Sequence, residues 1–167
     1  MTFQLDPTTD KWLSNNELRP IAVAEPVHKD QDNVPHYRVQ MQAIRHTFHP
    51  KLRDIPMWSF GHSSPGVIIE TKVGTPARVT WLNQLVGQSL SNLMVFGDRQ
   101  GMEEDHMLNI SHNVVHLHGA RVPWTSDGFP EHVFHPNEGR IFYYPNLQAA
   151  TTLWYHDHAM DVTRLNV

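Results

Sequence analysis

The chain has no cysteine. Disulfides and thiolate metal sites are excluded, and any metal has to be held by histidine, carboxylate or methionine. A basic surplus is missing as well: 13 lysines and arginines stand against 17 aspartates and glutamates, a formal charge of -4, without a basic run. Nucleic acid is not an expected partner of such a surface. No apolar stretch has the length of a membrane-spanning helix, so no membrane partner is expected. The first residues lack the basic-then-apolar order of a secretory leader, and the expected location is cytoplasmic.

Histidine is what the chain has in excess, with 13 residues, as many as lysine and arginine together. Imidazole suits copper, zinc, iron and nickel, so the count points to a transition metal. With 40% hydrophobic and 18% charged residues the composition is that of a folded chain. A length of 167 residues allows one domain with a core, plus an arm.

Residues 1–34 are broken by prolines and show little periodicity; they read as an extended arm, with the packed domain over 35–167. Between His36 and His46, Tyr37, Val39, Met41 and Ala43 alternate with polar neighbours, the period of a half-buried strand. Val67 to Val73 and Ala77 to Leu82 read as two strands across the Gly74-Thr75-Pro76 break, a hairpin or sandwich corner. Leu82 to Met94 places apolar residues on one helical face, but Gly87 and Gly97 favour an irregular loop. Further strands are expected over Asn113 to His118, Arg140 to Tyr144 and Thr151 to His156, with loop between Gly119 and Gly139. Phe142, Tyr143, Tyr144 and Trp154 read as core aromatics. Many short strands and no long helix give an all-β sandwich or barrel.

Two His-x-His motifs stand out, His116-Leu117-His118 and His156-Asp157-His158. Side chains at i and i+2 of a strand share a face, so each motif can present two imidazoles to one metal or to adjacent metals. Both motifs end apolar, strand-like runs, and together they make a four-histidine constellation. A cupin would carry glycine six residues before the first histidine, where Ile110 stands, and a glutamate shortly after His118, where Arg121, Val122 and Pro123 stand. A metallo-β-lactamase-type hydrolase needs Asp-His soon after the first pair, and Gly119-Ala120-Arg121 does not supply it. His112, four residues before His116, has a conceivable supporting role; the remaining histidines read as loop or turn residues.

His116-Leu117-His118-Gly119 and Trp154-Tyr155-His156-Asp157-His158-Ala159-Met160 resemble the two copper motifs in the first domain of multicopper oxidases. Thr163-Arg164-Leu165-Asn166-Val167, Ser126-Asp127-Gly128, Tyr144-Pro145-Asn146 and the run from Pro65-Gly66 through Gly74 to Trp81-Leu82-Asn83 are most similar to the branch of spore-coat laccase, phenoxazinone synthase and bilirubin oxidase. The resemblance implies a cupredoxin-like Greek-key β-sandwich, the first of three such domains, ending before its last strand. It implies copper, with His116 on a type 2 ion and His118, His156 and His158 on a type 3 pair, the other ligands coming from further domains, possibly on a separate chain. It implies dioxygen and a small aromatic reductant (phenol, aromatic amine or tetrapyrrole) as substrates. Asp127 matches the acid that relays protons near the cluster, Gly119 would let the backbone crowd it, and Asp157 would set local geometry. An isolated copper-binding domain without turnover is the rival reading, and this chain alone is expected to be inactive.

Overall fold

The computed structural model describes residues 21–48, 51–89, 111–160 and 162–163. Seven strands carry the fold: β1 (His28–Lys29), β2 (Pro35–His46), β3 (Ile55–Phe60), β4 (Ala77–Asn83), β5 (Val115–His118), β6 (Gly139–Tyr144) and β7 (Trp154–Asp157). A 3₁₀ turn spans Trp124–Ser126, and no α-helix occurs among the described residues. None of their helices is long and apolar enough to cross a membrane.

The larger sheet has the order β1-β2-β4-β6, with β3 added to β2. β2 is long enough to serve two partners. Its first half runs parallel to β4, from His36 opposite Arg78 to Met41 opposite Asn83. Its second half pairs antiparallel with β3, from Met41 opposite Phe60 to His46 opposite Ile55. The smaller sheet is the antiparallel pair β5-β7.

Alternation along β2 and β4 explains the core. Tyr37, Val39 and Met41 are buried, as are Ala77, Val79, Trp81 and Asn83, while their neighbours in sequence are more exposed. Period two sends every second side chain inward. Phe142 and Tyr144 continue the inner face on β6, and Trp58 and Phe60 on β3. The smaller sheet closes over this layer: the Tyr155 ring lies 5.0 Å from Trp81 and 5.3 Å from Phe60. The two layers are thus joined by aromatic packing, as in a β-sandwich.

The structure departs from the sequence reading at several points. Val67 to Val73 is not a strand of a hairpin; one bridge, Ile68 to Val23, is all that it forms. Its backbone is taken up elsewhere: Ile68 exchanges hydrogen bonds with residues 22 and 24, and Val67 C=O accepts from the Tyr155 hydroxyl. β4 is left to pair with β2 and β6. β3 carries Pro56 and escaped the pattern reading; it pairs with β2 alone, the edge position where proline is tolerated. Residues 84–89 form a turn, in keeping with the irregular loop expected there, while 90–94 lie outside the described residues. Tyr143 is 37% and Trp154 58% exposed, so of the four expected core aromatics only Phe142 and Tyr144 are interior. Of the arm expected over 1–34, residues 21–34 are described; they join the sheet through β1, and Val23 bridges Ile68 outside it.

Candidate metal centre

The histidines converge because β5 and β7 are neighbours in register. His116 lies directly opposite His156, and His118 opposite Trp154. The register continues past the strand end, where His158 N–H donates to Val114 C=O. Residues two apart share a face, so His116, His118, Trp154 and His156 line one side of the pair, while Leu117 and Tyr155 pack against the core. Ring centroids are 5.5 Å apart for His116 and His156, 5.6 Å for His118 and His156, and 4.7 Å for the stacked His116 and His158. Trp154 stacks on His156 at 4.2 Å and on His118 at 5.1 Å.

Ligand atoms of His116, His118 and His156 all lie within 4.8 Å of one another. His118 Nδ1 and His156 Nε2 face each other at 3.4 Å. Two imidazole nitrogens bound at about 2.0–2.1 Å to one ion at a tetrahedral angle are about 3.3 Å apart, so this pair already has the bite of a shared metal. The donor set contains only nitrogen, which suits copper in the oxidation states a redox cycle uses.

Hydrogen bonds decide which nitrogen each ring offers. His116 Nδ1 faces Asp127 C=O at 2.5 Å, His158 Nδ1 faces Gly128 C=O at 2.9 Å, and His156 Nδ1 faces Asp157 C=O at 2.6 Å. A carbonyl only accepts, so in the neutral ring Nδ1 carries the proton and Nε2 keeps its lone pair. His118 turns its Nδ1 to His156 Nε2, so a proton or a metal ion has to sit between these two nitrogens. Burial holds His156 below the ordinary imidazole range; the nearby rings of His116, His158 and His118 act in the same direction, against the Asp157 carbonyl. The ring is thereby kept in the neutral form that binds metals.

The sequence profile of the family described as Multicopper oxidase matches residues 106–166, which include all four histidines. A laccase of Bacillus stratosphericus is 34% identical over 91% of this chain, and a laccase of Bacillus subtilis 34% over 86%. Over residues 106–166 the chain thus resembles multicopper oxidases. A bilirubin oxidase of Albifimbria verrucaria is 28% identical over 87% of it. Among solved structures, a multicopper oxidase from Campylobacter jejuni superposes with a TM-score of 0.64 at 18% identity, and one from Pediococcus acidilactici with 0.65 at 21%. Each covers 87% of this chain, and the fold they share with it is the cupredoxin-like sandwich of multicopper oxidases. The chain spans 30% and 29% of the two laccases' lengths and 26% of each of those structures.

Around the four histidines, other residues take different places. Asp127 is half exposed, its carboxylate 3.5 Å from His116 Nδ1, farther than its own backbone carbonyl. Asp157 is fully buried and turned away from the metal face: Oδ1 accepts from Val114 N–H and Oδ2 from Ala159 N–H. Gly119 has φ +81°, and a Cβ there would meet only Leu153 at 3.4 Å. The positive φ of the turn after β5 favours glycine there. His112 is buried, and its ring pairs with His135 at 6.1 Å, outside the metal group. Sequence reasoning missed Trp154, counted as core; its place opposite His118 in the strand register is the signal that finds it.

Proposed function

We propose that the protein is a laccase-like multicopper oxidase that oxidises phenols, aromatic amines or tetrapyrroles and reduces dioxygen to water. Residues 35–167 form the first of its three cupredoxin-like domains, preceded by the arm 1–34. His116 serves a type 2 copper, and His118, His156 and His158 serve a type 3 pair. The observation that carries this reading is the 3.4 Å approach of His118 Nδ1 to His156 Nε2, inside a group of three imidazoles whose ligand atoms lie within 4.8 Å.

Bound copper supplies the electron transfer and oxygen binding that no side chain here can provide. The chain's own residues hold and orient. The Asp127, Gly128 and Asp157 carbonyls fix three rings with Nε2 unprotonated, and Trp154 restrains His118 and His156 by stacking. The Asp127 carboxylate, beside His116 and half exposed, is placed to pass protons from solvent towards the site. His118 and Trp154 are exposed, which leaves that side of the ladder open for ligands from the remaining domains of the enzyme.

Oxygen uptake with a phenolic reductant, measured on the copper-loaded full-length enzyme alongside copper content, tests the proposal. Turnover that disappears with His116→Ala or His156→Ala, together with lost copper, is the expected result. Copper bound without oxygen uptake would favour a domain that only holds the metal. Absence of copper binding would refute both.

A further inference from the structure

Two imidazoles of the ladder, His116 on β5 and His158 just beyond β7, donate to consecutive carbonyls of one short turn, those of Asp127 and Gly128. The turn is fixed at two points. Upstream, the Ser126 hydroxyl accepts a hydrogen bond from Tyr143 N–H on β6 at 2.9 Å, and Ser126 is buried. Downstream, Gly128 has φ +72° and lies so close to β5 that a Cβ would stand 2.0 Å from Val115 C=O and 2.9 Å from His116 Cα. Only glycine lets the turn approach the strand this closely, and only that approach brings its carbonyls under both rings.

We propose that the turn Ser126–Gly128 is a positioning element that holds His116 and His158 jointly in the Nδ1–H tautomer. It acts through its backbone carbonyls and is braced against β6 by the Ser126 hydroxyl. This deepens the copper reading, because the tautomer it imposes aims both Nε2 lone pairs away from the turn. The two rings respond together: one brace sets both, although they belong to different His-x-His motifs. The Asp127 carboxylate, at 3.5 Å from His116 Nδ1, is not what fixes the ring.

The test needs no metal. The chelator-treated full chain, labelled with ¹⁵N, is examined by long-range ¹H–¹⁵N spectra of its imidazoles above about pH 8, more than one unit above an ordinary imidazole. His116→Gln and His158→Gln identify the two signals. Both rings are expected to show a protonated Nδ1 and an unprotonated Nε2. Ser126→Ala should move both sets of shifts towards the averaged position together, and Ser126→Thr, which keeps the hydroxyl, should restore them. Asp127→Ala should leave them in place. Titration with copper(II) alone should show about 10–100-fold weaker binding for Ser126→Ala. An Nε2–H tautomer at either ring of the parent chain overturns the proposal. So does a Ser126→Ala variant that loses stability with both tautomers unchanged, or a tautomer change caused by Asp127→Ala. Tautomers as expected in a chain that takes up no copper would uphold the turn's role and refute the copper reading alone.

Discussion

Asp157 holds the two histidine strands together without touching a histidine side chain's metal face. Each carboxylate oxygen accepts one backbone N–H, from Val114 and from Ala159, and the side chain is fully buried. Replacing it by alanine leaves both N–H groups unsatisfied in the interior. Each such group costs about 1–3 kcal/mol, so Asp157→Ala is expected to lose on the order of 3 kcal/mol in urea unfolding. Asp157→Asn, which keeps one acceptor, should lose roughly half as much. At this scale the sequence was informative wherever chemistry resides in side chains. The four histidines are legible because spacing of two on a strand is a local pattern. The acceptors that orient them are backbone carbonyls, which have no residue type of their own. Gly128 was visible only as part of a resembling motif, because its reason is a contact with Val115, distant in sequence. Trp154 was misread because an aromatic beside an apolar run is interior by default, and here the strand register turns it outward.

Among the elements, β4 is the hinge between the sheet and the loops that reach the site. Its last residue, Asn83, is fully buried. The side-chain amide donates to Ser111 C=O at 2.6 Å and Phe134 C=O at 3.2 Å, and its oxygen accepts from Leu85 N–H at 2.9 Å. Asn83 thereby ties the strand to the segment that leads into β5. Asn83→Leu, similar in volume, strands a buried donor and an acceptor, and a loss on the order of 3 kcal/mol is expected in denaturant unfolding. Ser111→Ala, which removes only the hydroxyl that donates to Leu85 C=O, should lose about 1 kcal/mol. Strand existence was readable for β2, β4 and β6, where apolar alternation is long enough to count. Pairing was not. Nothing local distinguishes a parallel partner from an antiparallel one, and the parallel run of β2 beside β4 is decided by how both inner faces meet the core.

For the whole molecule, two histidines away from the metal group, the buried His112 and the half-buried His36, make stability depend on pH. Burial, with the nearby His28, lowers His36 below its ordinary 6.5, and burial, with His135, lowers His112. The unfolded chain takes up these protons near pH 6.5, and the folded chain only at lower pH. Their contribution is therefore complete above that value and is lost as pH falls through the folded values. The thermal midpoint is expected to fall as the solution is taken from pH 7.5 towards 5, and the fall should be shallower in His112→Gln; these pH settings are about one unit or more either side of an ordinary imidazole. Copper works in the other direction. An ion that binds only the folded chain stabilises it by about 2.7 kcal/mol at roughly 100 times its dissociation constant. Copper should raise the midpoint, chelation should reverse the rise, and His156→Ala should abolish it.

The parallel pairing of β2 and β4 also has a kinetic side. Trp81 and Tyr144, bonded between β4 and β6, are 63 residues apart in the chain, and His118 and His156 are 38 apart. Neither sheet can be completed from neighbouring segments alone, and every ladder except β2 with β3 and the short β1 closes a long loop before its contacts reward it. Such topologies fold in milliseconds to seconds, far more slowly than helical bundles of similar size. The imidazoles sit on such a pair: His116 and His156 face each other across 40 residues of chain, so the two motifs stay apart until that loop closes.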